Sequence, residues 1–481
     1  MNFDTIAVNA LGALAKRTGK KLAKKEGYPE KPAPATPIRM KNKEDDLFRC
    51  GFASKVTMPE NIHDHTYYLA GHRTGKTVAD ILDPLTVSAM WLDCKDGGML
   101  LIGADMVGFA NVEANAIRDS LRDFAEKTDC RSINILCTHN HAGIDTLGYW
   151  GKGIAGTPIP SDGKDPAFMA LITQHIRECC EQAYADRKEG KLYIGTIHVP
   201  DAVYRKREPI YCRDVLSRIR FVPEDGSKET WWLNFGAHPN TMGGANQRIS
   251  AEYPGYMRAK INEIQPTNVL FGVGAIAACD PGQYSEDVYE CARMEGVKLA
   301  EAAFAIDNDV QLAPEITVVR QPYFAPVDNA VLALMSIVKT VNYEKVASKD
   351  SDLGLALRTE MTYIQIGSQK ILLLPGEAVP EFVFDHYSPA ETSATGMGPE
   401  VNAKPLVRVA DDDNLIVFGL ANDMTGYMVP VNDFVLNETG PYLNTAKDRF
   451  GNRHYHETNS LSPKITQVVS DTFATIMQQV Q

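Results

Sequence analysis

Residues 132–143 read Ser-Ile-Asn-Ile-Leu-Cys-Thr-His-Asn-His-Ala-Gly, a short apolar run that ends on two histidines two places apart. The run has the length and branched-residue content of a strand, and it stops where polar, glycine-containing sequence begins. Similar runs occur at 99–103, 231–235, 268–272, 370–374 and 415–419. Each is followed by residues able to do chemistry: Asp105, then His139 and His141, His238-Pro239, Asp280-Pro281-Gly282, Gly376-Glu377, and Asn422-Asp423 with Tyr427. Helical patterns at 112–128, 166–187 and 286–305 lie between them. The reading is an α/β fold (mixed α+β) of mixed β-sheets flanked by helices, in which loops at the carboxyl ends of strands share one site.

Two histidines in H-x-H spacing point the same way on a strand but need not in a turn. Neutral imidazoles, a carboxylate and a further oxygen make a reasonable Zn2+ donor set, with one position left for water or substrate. A lone H-x-H fits a histidine bonded to a neighbouring loop better than a ligand; the other strand ends favour the metal. Three further segments carry weaker signals. Gly71-His-Arg-Thr-Gly-Lys-Thr77 has three residues between its glycines where a phosphate-binding loop needs four, and reads as an ordinary loop. His454-Tyr-His-Glu457 reads as an exposed polar loop or substrate-facing rim, with a second metal site as the alternative. Cys179 and Cys180 fall in a helical pattern and read as packing residues.

With 481 residues, 44% hydrophobic and 23% charged, the chain is long enough to bury a large core. Its net charge of -12 excludes broad electrostatic binding to nucleic acid. Residues 1–43 carry about +7 and the remainder about -19. A basic leader helix (4–25) and a Pro-rich linker are therefore expected over 1–44, before a single catalytic domain over 45–481. The leader is expected to be solvated and loosely packed; peripheral contact with an anionic membrane is the alternative. The nine cysteines are odd in number and form no C-x-x-C pair, no apolar run approaches the roughly 20 residues of a membrane span, and the positive charges follow the apolar stretch 6–15. A cytoplasmic protein is expected. The oligomeric state is not legible.

Taken together, the order and wording of these motifs resemble the catalytic domain of the neutral, non-lysosomal ceramidase family. Thr138-His-Asn-His-Ala-Gly143 is similar to that family's T-H-T-H-S-G-P segment, and Asn234-Phe-Gly-Ala-His-Pro-Asn-Thr-Met242 to its N-x-x-x-H-P-T-S-M segment. Ile249-Ser-Ala-Glu-Tyr-Pro-Gly-Tyr256, Leu374-Pro-Gly-Glu377 and Gly419-Leu-Ala-Asn-Asp-Met-Thr-Gly-Tyr427 resemble three further stretches, in order, over about residues 50–460. The resemblance implies one zinc ion held by His139, His238, Glu377 and Tyr427. It also implies His141, Asp280 and Tyr427 as catalytic groups, His141 or Tyr427 steadying a developing oxyanion, no organic cofactor, and a small-molecule or lipid-like substrate. Two departures stand out. Where the family has G-D-V-S-P-N, this chain has Cys279-Asp-Pro-Gly-Gln-Tyr284, which sets Gly282 at the serine; the family's C-terminal β-sandwich and secretion signal are also expected to be missing. The function expected is zinc-dependent hydrolysis of a linear amide such as an N-acyl compound. The alternatives are a non-hydrolytic metal- or ligand-binding member of the fold, and a metal-dependent lyase or isomerase acting on a polar metabolite.

Overall fold

The structure, a computed structural model, describes residues 3–153, 161–206, 208–438 and 441–480, with the side chains of 3–9 outside the description. Two sheets carry it. The larger has nine strands, in the order Asn268–Val273, Thr230–Phe235, Val215–Pro223, Lys188–His198, Phe48–Val56, Thr86–Asp93, Gly98–Ala104 and Cys130–Cys137, with Val310–Leu312 beside Lys188–His198. Its first and last pairs are parallel and the rest antiparallel. The second sheet runs Ile38–Lys41, Glu315–Pro326, Leu355–Ile366, Gln369–Leu373 and Ile416–Phe418, with Lys345–Ala347 also on Leu355–Ile366.

Side-chain alternation sets the layers. In Thr86–Asp93, Val87, Ala89 and Trp91 face the helices Pro166–Ala185 and Arg122–Thr128, while Met90 and Leu92 face the second sheet. In Leu355–Ile366, Leu357, Met361 and Tyr363 face the helix Ile465–Val480, while Ile364 and Ile366 point back at the first sheet. Trp232 and Phe418 stack across the inter-sheet layer, ring centroids 4.6 Å apart. The result is four layers: helices, sheet, sheet, helices. Strands buried on both faces have no polar side to alternate, which explains the continuous apolar runs of the sequence.

The segment after Ile416–Phe418 joins the two edges of the nine-stranded sheet. Gly419 N donates to Val273 O (2.9 Å) at one edge; Cys137 N donates to Leu420 O (3.2 Å) and Asn422 N to Ile135 O (2.8 Å) at the other. This stitch brings together the ends of Cys130–Cys137, Thr230–Phe235 and Gln369–Leu373. Gly272 allows the close approach, since a Cβ there would lie 2.6 Å from Phe418.

Three expectations change. The helical pattern 112–128 divides at Leu121 into Asn111–Ser120 and Arg122–Thr128. Pro166–Ala185 and Val288–Phe304 start at the capping carboxylates Asp165 and Asp287. The leader is not loose: in the helix Phe3–Glu26, Ala15 is fully buried, and Leu11 and Leu22 pack on the core of the second sheet. Gly19 sits so close that a Cβ would fall 2.6 Å from Gly354 O. Beyond it Ile38–Lys41 pairs with Glu315–Pro326, so part of the expected linker is a strand. No helix among the described residues is long and apolar enough to cross a membrane.

Candidate metal centre

His139 follows Cys130–Cys137 in a left-handed backbone conformation, φ +58°, a strained position for a residue with a side chain. The kink is held by a hydrogen bond from His139 Nδ1 to Val107 O, 2.8 Å. His238 follows Thr230–Phe235 and is gripped twice by one carbonyl: its backbone N lies 2.9 Å and its Nδ1 3.3 Å from Cys279 O. A carbonyl only accepts, so in both rings Nδ1 carries a hydrogen and Nε2 faces inward, its lone pair available to an ion when the ring is neutral. Glu377 begins the short strand Glu377–Ala378, which pairs in parallel with Tyr427–Met428, residue 377 opposite 427.

The three meet. Glu377 Oε2 lies 2.9 Å from His238 Nε2 and 3.4 Å from His139 Nε2, and His141 Nε2 lies 3.1 Å from His139 Nε2. His139, His238 and Glu377 are each about 3% exposed. Despite these distances Oε2 has no well-directed hydrogen bond, which leaves a buried anionic oxygen beside inward-facing imidazole nitrogens. Donor atoms about 2.0–2.2 Å from one ion in tetrahedral arrangement stand about 3.3–3.6 Å apart; the 3.4 Å pair matches this, and the 2.9 and 3.1 Å pairs lie a few tenths of an ångström inside it. The ligand atoms of His139, His141 and His238 all fall within 4.8 Å of one another, so the group can hold a metal ion.

Charge follows this geometry. Burial works to raise the Glu377 pKa, yet His139 and His238 more than offset it and hold it at about 2. Burial works to lower that of His238, but Glu377 keeps it above the ordinary imidazole value. His141 has no such partner; burial, then the neighbouring His139, push it well down. Its Nδ1 is buried without a hydrogen bond.

Searches for known relatives divide sharply. No family model and no curated protein matches this chain. Among solved structures, neutral ceramidase from Pseudomonas aeruginosa superposes with a TM-score of 0.67 at 14% identity, over 91% of this chain and 75% of that one. A ceramidase complexed with C2 gives 0.66 at 13% identity, over 91% and 76%. The fold is that of the neutral ceramidases.

Within this ceramidase fold the centre opens into a cavity of about 470 Å3. Leu147, Trp150, Met335 and Val341, with Leu332 packed against the same core cluster, give it an apolar wall, and Asn240, Asp280 and Tyr427 also line it. Asp280 accepts from Asn240 Nδ2 at 3.2 Å and pairs with Lys206 at 3.3 Å. Tyr427 is buried with its ring 6.5 Å from His238, its hydroxyl is hydrogen-bonded with Tyr455, and burial drives its pKa well up. His72 lies outside the strand-end pattern: it lines the cavity, packs edge-on to His141 at 5.0 Å, and burial pushes its pKa down to about 4. Its one sequence signal is the His in Gly71-His-Arg-Thr-Gly-Lys-Thr77, a segment without the spacing of a phosphate-binding loop.

Other strand-end residues serve the scaffold. Asp105 pairs with Arg258 and accepts from Thr86, Asn422 links Ile135 to Thr362, and Asp423 accepts from Asn111 N and Thr359. The 454–457 segment is not exposed: His454, His456 and Glu457 are buried. His454 spends its two ring nitrogens on carboxylates at opposite sides, Glu457 at 3.1 Å and Asp448 at 3.5 Å, rather than on a shared ion. Tyr455 does line the cavity, and Cys179 and Cys180 are packing residues.

Gly282, aligned with the family serine, does not line the cavity. A Cβ at Gly282 would stand 2.3 Å from the Tyr284 hydroxyl and 2.4 Å from Asp201 O. Ser285 is no substitute, because its hydroxyl accepts from Asp287 N at an exposed helix start.

Proposed function

We propose that this chain is a zinc-dependent hydrolase that cleaves a linear amide, or an ester, in a substrate bearing an acyl chain. The observation that carries the reading is the unsatisfied Glu377 Oε2 between the inward-facing Nε2 atoms of His139 and His238. Imidazole nitrogens and one carboxylate suit Zn2+. His139, His238 and Glu377 would hold the ion; His141, whose Nε2 is within the same group, competes with Tyr427 for the fourth place. When bound, such an ion lowers the pKa of a water and polarises a carbonyl.

The protein's own groups supply the rest. The wall of Leu147, Trp150, Leu332 and Met335 would receive the acyl chain and exclude water from the reacting carbonyl. His141, kept neutral by burial, has a free Nδ1 able to take up a proton during attack and return it to the leaving group. Tyr427 and Tyr455 would orient the carbonyl oxygen, and Asp280 the polar end of the substrate.

The crowding at Gly282 favours a second reading, a member of the fold that keeps the ion and ligand pocket but has lost hydrolysis. Turnover of a panel of N-acyl amides and esters separates the two. The proposal expects hydrolysis that is lost in His139→Ala and His238→Ala; zinc retained with no turnover on the whole panel supports the second reading and rejects the first.

A further inference from the structure

Beneath the metal centre, Cys212 and Cys279 bring their sulfurs to 2.9 Å. Both are free thiols, 67 residues apart in sequence. A disulfide needs about 2.05 Å, so the gap to close is about 0.9 Å. The two differ in access: Cys212 is half-buried in the loop that follows Val203–Tyr204, and Cys279 is fully enclosed just before Asp280. The buried Arg205 guanidinium, ion-paired with Glu381, sits close enough to both sulfurs to act on them electrostatically. Arg205 opposes only part of the burial that holds the Cys279 thiol well up, so the less buried Cys212 is the sulfur placed to react first.

We propose that Cys212 and Cys279 are a reversible dithiol–disulfide pair built under the histidine cluster. With oxidised glutathione as oxidant, Cys212, the less buried of the two, gives up its proton and attacks one glutathione sulfur, releasing one glutathione thiol. Cys279 then gives up its proton, attacks Cys212 Sγ of the mixed disulfide, and releases the second glutathione. Two protons and two electrons leave the pair, and glutathione disulfide takes them up as two thiols. The bond would tie the 205–214 loop to the residue whose carbonyl fixes both the backbone N and Nδ1 of His238.

The test uses the native full-length chain, treated with oxidised glutathione, denatured in N-ethylmaleimide, digested and read by mass spectrometry. A peptide pair joined through 212 and 279, absent after dithiothreitol, is expected. Cys279→Ser should instead carry glutathione on Cys212, and Cys212→Ser should leave Cys279 free of glutathione and alkylated by N-ethylmaleimide. The proposal is overturned if 212 and 279 are both alkylated after oxidation, or if bridges to other cysteines predominate. Because the readout is covalent, it does not depend on hydrolytic activity.

Discussion

Restoring the hydroxyl that the ceramidase sequence pattern places at residue 282 should harm this chain rather than improve it. In Gly282→Ser the new Cβ falls 2.3 Å from Tyr284 Oη and 2.4 Å from Asp201 O, whereas relaxed non-bonded contacts settle about 1 Å further out. Tyr284 can swing, though only by giving up its 3.0 Å hydrogen bond to Asp201 O. Asp201 O is main chain, and the 201–204 turn is held by Gly282 N to Ala202 O and by pairing of Val203–Tyr204 with Asp280–Pro281. Overpacking of this kind costs about 1–3 kcal/mol. Urea unfolding of Gly282→Ser, Tyr284→Ala and the double variant separates the contributions. Removing the ring should recover part of the loss and leave the Asp201 share. A Gly282→Ser protein with wild-type stability and higher turnover would refute the packing argument and the claim that this position lies outside the cavity.

Three further outcomes follow from the geometry. Gly19→Leu drives a side chain into Gly354 O and should undock the N-terminal helix at a cost of about 1–3 kcal/mol, seen as faster trypsin cleavage within 16–25; unchanged cleavage would contradict the docking. Zinc binding should release a proton from His238 wherever that ring is charged, because Glu377 holds its pKa above the ordinary imidazole value and the ring must be neutral to become a ligand. Affinity therefore weakens as pH falls, and calorimetry in buffers of different ionisation enthalpy counts the proton. Leu332→Ala should raise KM about tenfold for long-chain substrates and leave short-chain ones little changed; an equal effect on both would place the acyl chain elsewhere.

Much of the centre could be read from sequence because its residues sit where apolar runs stop. The runs at 99–103, 132–136, 231–235, 268–272, 370–374 and 415–419 are strands buried on both faces, and His139, His238 and Glu377 follow three of them. The long antiparallel strands were harder to see. Lys188–His198 and Leu355–Ile366 mix Lys, Glu, Thr and Gln among their apolar residues, and their pairing is decided by partners far along the chain. The stitch at 419–422 was also hidden, since its hydrogen bonds are main-chain and leave no side-chain signature beyond Gly419 and Asn422. The apolar wall is not legible in the sequence, because Leu147, Trp150 and Leu332 come from separate loops and helices that carry no common motif.

The central claim is that His139, His238 and Glu377 share one ion. Elemental analysis after equilibrium dialysis against zinc tests it most directly, comparing the wild type with His238→Ala and Glu377→Gln. One tightly held zinc per wild-type chain, lost in both variants while they stay folded, is the predicted result. A wild-type chain that holds no zinc, or variants that hold as much as the wild type, would contradict it.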